Sequence, residues 1–152
     1  MLTIERADFA DQSVTAFLKD HLLDMEPTAP EESRHALDLA ALQRPGVRLW
    51  VAYENREVVG TVALAELDEN HEELKSMRTA PHHRGKGIAS QLLEFSLQDA
   101  RSRGVSRVSL ETGSMEFFAA ARALYRRSGF IESGPFGSYE EDPNSVFMTM
   151  VF

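Results

Sequence analysis

The sequence predicts a single α/β domain (α+β in finer terms), with a central sheet of about six to seven strands and about four helices. Three observations predict it. Strand-like and helix-like runs alternate in the order β-α-α-β-β-β-α-β-α-β-β. The 152 residues suit one domain with one core, and no repeat, low-complexity stretch or linker divides them. A glycine turn, Arg84-Gly85-Lys86-Gly87, joins a strand-like run to a long amphipathic stretch.

Leu2 to Arg6 alternates apolar and polar residues, as a strand does. Asp11 or Ser13 can cap a helix that carries Val14, Phe17, Leu18, His21, Leu22 and Met25 on one face. Pro27 and Pro30 end it and frame a loop, Glu26 to Glu32. A short helix, Ser33 to Leu42, stops before Pro45-Gly46. Val47 to Tyr53 and Val58 to Glu66 read as strands joined by a Glu54-Asn55-Arg56-Glu57 hairpin turn. Asp68-Glu69-Asn70 turns into a strand that includes Glu73 and ends at Thr79, before Pro81. The helix from Ile88 to Arg103 is apolar at Ile88, Leu92, Leu93, Phe95, Leu97 and Ala100. Val105 to Glu111 is a strand, and Met115 to Ser128 a helix ended by Gly129. Phe130 to Glu132 and Ser145 to Val151 close the sheet around a Gly/Pro-rich loop.

Composition narrows the function. A net charge of −8 argues against a nucleic-acid binder, which needs a basic surface, and leaves room for an amine-bearing substrate. With no cysteine there is no thiolate nucleophile and no Cys-based metal site. No apolar run has the form of a signal peptide or membrane span, so no membrane partner is expected and the cytoplasm is the expected compartment. His82 and His83 adjoin a loop and point apart, so no metal is expected.

The glycine turn carries the chemistry. A small-residue turn opening a helix leaves backbone N–H groups without intrahelical partners, beside the positive end of the helix dipole. Phosphate oxygens fit such a site. Gly85 and Gly87 permit close backbone approach, and Arg84 and Lys86 add positive charge. The Walker pattern is absent, and Ser90 stands where a dinucleotide fingerprint needs its third glycine.

Arg84, Gly87 and Ala89 match the Arg/Gln-x-x-Gly-x-Gly/Ala signature of the GNAT superfamily of N-acetyltransferases. Ala121, Leu124, Tyr125, Gly129 and Phe130 resemble that superfamily's Ala-x-x-Leu-Tyr-x-x-x-Gly-Phe block. Shorter runs, among them Lys75-Ser76-Met77-Arg78-Thr79 and Leu110-Glu111-Thr112-Gly113-Ser114, look like a branch of small bacterial acetyltransferases. The resemblance covers Val47 to Phe152 and implies a mixed sheet splayed between its fourth and fifth strands, with the co-substrate acetyl-CoA in the gap.

It also implies roles. The backbone of Met77, Arg78 and Thr79 would pair with the pantetheine arm, and an N–H at Met77 or Arg78 would meet the thioester oxygen. Arg84, Gly85, Lys86, Gly87, Ile88, Ala89 and Ser90 would hold the pyrophosphate. Tyr125 would be the general acid, since a phenol with a pKa near 10 rests protonated at neutral pH. The general base would be a strand-end carboxylate: Glu73 first, Glu111 second, Glu66 third. Many relatives carry an Asn where this chain has Phe118, so cofactor contact there would pass to packing or to Ser114.

The acceptor pocket would draw on Glu32, Ser33 and His35, although His35 on an apolar helix suits the core equally well. Strand alternation puts Lys75 and Met77 on one face and Arg78 on the other, so at least one cation faces inward, toward a carboxylate-bearing acceptor. Phe136 and Tyr139 either form a lid or pin their loop to the core. The expected activity is direct acetyl transfer to the amine of a small or amino-acid-like metabolite. The alternatives are an acetyl-CoA sensor without turnover and an enzyme acting on protein amines. Ser145 to Val151 is the expected sheet edge, and pairing there would allow a homodimer.

Overall fold

In a computed structural model the chain folds as alternating strands and helices; the structure describes residues 2–25 and 39–152. The strands are β1 (Leu2–Arg6), β2 (Val47–Glu54), β3 (Glu57–Asp68), β4 (His71–Thr79), β5 (Arg107–Gly113), β6 (Ile131–Ser133) and β7 (Ser145–Val151). The α-helices among the described residues are α1 (Gln12–Met25), α2 (Leu39–Leu42), α3 (Ile88–Ser102) and α4 (Ala119–Ser128). Single 3-10 turns at Pro81–His83 and Glu116–Phe118 precede α3 and α4. The expected Glu26–Glu32 loop, most of the second expected helix, and Glu32, Ser33 and His35 lie outside the described residues.

The seven strands form one mixed sheet in the order β1-β2-β3-β4-β5-β7-β6, antiparallel except for the parallel β4–β5 pair. The last strand therefore does not lie at the edge, contrary to expectation. It inserts between β5 and β6, pairing with β5 from Arg107↔Val151 to Gly113↔Ser145 and with β6 at Ile131↔Thr149. Its backbone groups are used on both sides, and β6 is the edge instead.

Two apolar layers sandwich the sheet. On one face α3 and α4 bury Ile88, Leu92, Leu93, Leu124 and Tyr125 against Val62, Leu64, Leu74, Leu110 and Met148. On the other, Val14 and Leu18 of α1 and Leu42 of α2 pack on Leu49, Val51, Val58 and Ala63. Asp11 starts α1 by accepting hydrogen bonds from the Ser13 N–H (2.9 Å) and hydroxyl (2.6 Å). Asn55 and Arg56, both at positive φ (53° and 67°), make the β2–β3 turn, whose twist suits a two-residue hairpin. Arg103, just beyond α3, forks onto Glu72 of β4 (2.7 and 2.8 Å) and bonds Asp99 (2.7 Å), tying the helix end to the central strand.

The decisive feature is where β4 and β5 part. They pair only from His71↔Arg107 to Leu74↔Leu110, although β4 runs on to Thr79 and β5 to Gly113. Opposite this point β4 bulges. Thr61 pairs with Arg78 and Ala63 with Lys75, so Val62 faces two residues, Ser76 and Met77. Ser76 takes φ 53°, and its carbonyl accepts the Thr61 hydroxyl at 2.8 Å. A wedge opens between Lys75–Thr79 and Glu111–Gly113, with β3 and β7 holding the outer edges of both strands.

Candidate active site

One end of the wedge is the glycine turn. Gly85 and Gly87 sit at φ 80° and 78°, in the left-handed region that disfavours side chains. A Cβ at either would meet nothing within 4 Å, so the turn presents bare backbone outward. The first bond of α3 runs from the Gln91 N–H to the Gly87 carbonyl (3.1 Å), and no side chain caps the helix. The N–H groups of Ile88, Ala89 and Ser90 are thus left for a ligand. The exposed side chains of Arg84 and Lys86 flank them. His83 steadies the turn from below, each ring nitrogen 3.7 Å from a carboxylate of the β2–β3 hairpin, Glu54 or Glu57. These groups fit a pyrophosphate: donors, a helix N-terminus and two cations around open space.

The bulge changes which side chains enter the wedge. Alternation from Lys75 would put Met77 on its face and Arg78 opposite, but the extra residue reverses this. Met77 packs on the α3–α4 core, while the Arg78 guanidinium lies 5.3 Å from the Phe17 ring of α1. Lys75 and Arg78 therefore share the α1 face with Glu73.

On that face the wedge floor is polar. Glu73 is 6% exposed and directly precedes the last β4–β5 pair. Its Oε2 accepts the Tyr139 hydroxyl at 2.5 Å and lies 3.3 Å from Lys75 Nζ, which also donates to the Tyr139 oxygen at 3.3 Å. Tyr139 comes from the β6–β7 loop, whose aromatics are pinned by edge contacts: Phe136 to Tyr139 at 5.0 Å and Phe136 to Phe147 at 5.9 Å. The loop's other end is fastened to the end of β5, where Ser114 donates its hydroxyl to the Pro143 carbonyl (2.7 Å) and its N–H to that of Asn144 (3.1 Å). Burial and the Glu73 charge push the Tyr139 phenol well above its ordinary value, so it stays a donor.

Glu111 stands across the wedge, one residue past the last β4–β5 pair. Burial pushes its carboxyl up to about 7, helped by the charges of Glu73 and Asp142 and opposed by the Ser145 hydroxyl and Lys75. Glu66 is exposed beside Gly46, away from this group.

Tyr125 approaches from the opposite face. It is 6% exposed on α4, edge-on to Phe130 at 5.8 Å, and burial raises its phenol above the ordinary range. The turn before α4 is held by Arg122, which donates to the Gly113 (2.7 Å) and Met115 (2.9 Å) carbonyls. Phe118 covers Gly113 so closely that a Cβ there would lie 2.0 Å from its ring. Sequence reasoning missed the Arg122 bonds and two contacts between residues far apart in the chain, Arg78 on Phe17 and Tyr139 on Glu73.

A buried hydroxyl chain also went unforeseen: His71 Nε2 to Ser109 (2.7 Å) and Ser109 to Thr149 (2.9 Å), beneath Phe136. Among the described residues no group of three or more His, Cys, Asp or Glu side chains could hold a metal ion. No helix there is long and apolar enough to cross a membrane.

Comparison with known proteins places this geometry. The family model described as "Acetyltransferase (GNAT) family" matches residues 14–130. The chain belongs to the GNAT acetyltransferase family. It is similar to "Uncharacterized N-acetyltransferase YsnE" of Bacillus subtilis (47% identical, covering 93% of this chain and 94% of the relative). It is also similar to "IAA acetyltransferase" of Azospirillum brasilense (38% identical, covering 97% and 95%). Among solved structures, one from Klebsiella pneumoniae has a TM-score of 0.80 at 30% identity, covering 99% of this chain and 97% of the other. An N-acetyltransferase from Thermoplasma acidophilum, solved with coenzyme A, shares the fold with a TM-score of 0.78 at 14% identity, covering 100% and 99%. Like its GNAT relatives, the chain is an acyltransferase that moves acetyl groups.

Proposed function

We propose that this GNAT enzyme transfers acetyl from acetyl-CoA directly to the amine of a small, amino-acid-like metabolite in the cytoplasm. One observation carries the reading. The wedge is a continuous path from a phosphate-binding turn, along a strand edge that β5 has released, to two carboxylates at its floor.

Each part has a task. The turn at Arg84–Ser90 holds the pyrophosphate through backbone N–H groups and the helix dipole. The released edge of β4 at Met77–Thr79 offers backbone groups to the pantetheine arm, as a strand edge does to an added strand. A carboxylate of the Glu73/Glu111 pair takes the ammonium proton, leaving the nitrogen lone pair to form the C–N bond. Tyr125, kept protonated by burial, gives its proton to the departing sulfur. No cysteine is available for an acyl-enzyme, so transfer within a ternary complex fits the composition. Lys75 and Arg78 on the acceptor face suit an acceptor that also carries a carboxylate, with Phe136 and Tyr139 closing the pocket.

The test is thiol release from acetyl-CoA over a panel of amino acids, polyamines and lysine peptides, with the product identified by mass. Release with a free amino acid, and an added acetyl on its amine, is expected. Release with peptides alone would overturn the small-acceptor reading.

A further inference from the structure

We propose that Glu111 is the group that takes the ammonium proton, and that Glu73 is a positioning residue that holds the Tyr139 loop over the acceptor pocket. This rests on the transfer reading above and deepens it. Sequence alone ranks Glu73 first, at the mouth of the central strand, and Glu111 second, at the end of the facing strand. The geometry reverses the order.

A base must take up and release a proton without loosening the contacts that hold its site together. Glu73 Oε2 is already engaged by two donors, the Tyr139 hydroxyl and Lys75 Nζ. Accepting a further proton there would break a hydrogen bond that fastens the β6–β7 loop to the centre of the sheet. Glu73 also lies where β4 and β5 are still paired, so backbone closes one side of it. Glu111 differs in its place on the sheet. It stands at the first position of β5 beyond the pairing, facing the opened wedge. It has no salt-bridge partner within 4.0 Å among the described residues.

Among the described residues the groups facing Glu111 are Glu73 and Lys75 of β4, Ser145 of β7, and Tyr139 and Asp142 of the loop. Two carboxylates and burial oppose its ionisation, whereas one ammonium and one hydroxyl favour it. That balance keeps its affinity for a proton close to neutral, where a base is most effective.

The transfer step then balances. An ammonium N–H bond breaks and its proton joins the Glu111 carboxylate. The freed lone pair forms the N–C bond to the acetyl carbonyl, the C–S bond breaks, and the electron pair leaves on sulfur, which takes the Tyr125 proton; the nitrogen, still carrying one proton more than an amide, sheds it to solvent, and the Tyr125 phenolate takes a proton back from solvent. Glu111 passes its proton to solvent to complete the cycle. Glu73 exchanges no proton. Its charge raises the proton affinity of Glu111, and its bond to Tyr139 sets the pocket wall.

The experiment compares wild type, Glu111→Gln and Glu73→Gln. It reads acetyl-CoA affinity by calorimetry, kcat/KM against pH with the best amine of the panel above, and Glu111 titration by carboxyl 13C NMR. All three proteins should bind acetyl-CoA alike, which keeps this proposal separable from the transfer reading. Wild-type kcat/KM should rise with pH to a plateau, with an apparent pKa near 7.

Glu111→Gln should lose about 100-fold or more of that rate and flatten the rise. Glu73→Gln should raise KM and move the midpoint to lower pH, because the charge that raises Glu111 is gone. The NMR titration of Glu111 should move down with it. A flat profile in Glu73→Gln, with the rise retained in Glu111→Gln, would overturn the proposal. So would a wild-type Glu111 that titrates near 4.5, whether or not an acceptor is found.

Discussion

Replacing Glu111 by Gln should stabilise the protein at alkaline pH and leave it nearly unchanged at acidic pH. In the native state the Glu111 carboxyl ionises at about 7, against an ordinary 4.5. The folded chain therefore holds this proton more tightly than the unfolded chain does. That advantage is fully present below about 4.5 and is lost as pH rises through about 7. At about 1.4 kcal/mol per pH unit, the full difference is an upper bound of about 3.5 kcal/mol. Residual solvent exposure of the side chain lowers the expected value to about 2 kcal/mol. Gln keeps the size and the hydrogen bonding of the protonated acid, so the variant should match wild type at pH 5 and exceed it by about 2 kcal/mol at pH 8.5. Urea melts at both values measure this. Equal wild-type and variant midpoints at pH 8.5 would refute the burial argument for Glu111.

Three further changes test separate parts of the structure. Gly87→Glu places bulk and negative charge at a φ of 78° facing the phosphate space, and should weaken acetyl-CoA binding by about 100-fold or more in calorimetry. Tyr125→Phe should lower turnover about 10- to 100-fold while leaving acetyl-CoA affinity unchanged, measured by thiol release and calorimetry. Arg103→Ala leaves the buried Glu72 carboxylate without its fork and should cost about 3 kcal/mol in urea denaturation.

Much of the fold was legible because its signals are local. Period-2 alternation marked β1, two apolar runs either side of the Glu54–Glu57 turn marked β2 and β3, the period-3.6 stripe of Ile88, Leu92, Leu93 and Ala100 marked α3, and Pro and Gly set the boundaries. The phosphate turn was legible for the same reason: its glycines and cations are contiguous. What escaped depends on partners distant in sequence. The bulge at Ser76 is braced by the Thr61 hydroxyl on its carbonyl, 15 positions away, and no glycine announces its positive φ. One inserted residue then exchanged the faces of Met77 and Arg78. Periodicity also carries no information on strand order, so β7 was expected at the edge and lies inside. Glu73 and Tyr139 are separated by 66 positions, and only the folded loop shows that one engages the other.

The most direct test of the account is calorimetric titration of acetyl-CoA into the wild-type protein, with dephospho-CoA and NAD titrated alongside. The account predicts saturable binding of acetyl-CoA, with an affinity on the order of micromolar, and no binding of NAD. Absence of binding, or equal binding of NAD, would contradict the assignment of the Arg84–Ser90 turn and the wedge behind it.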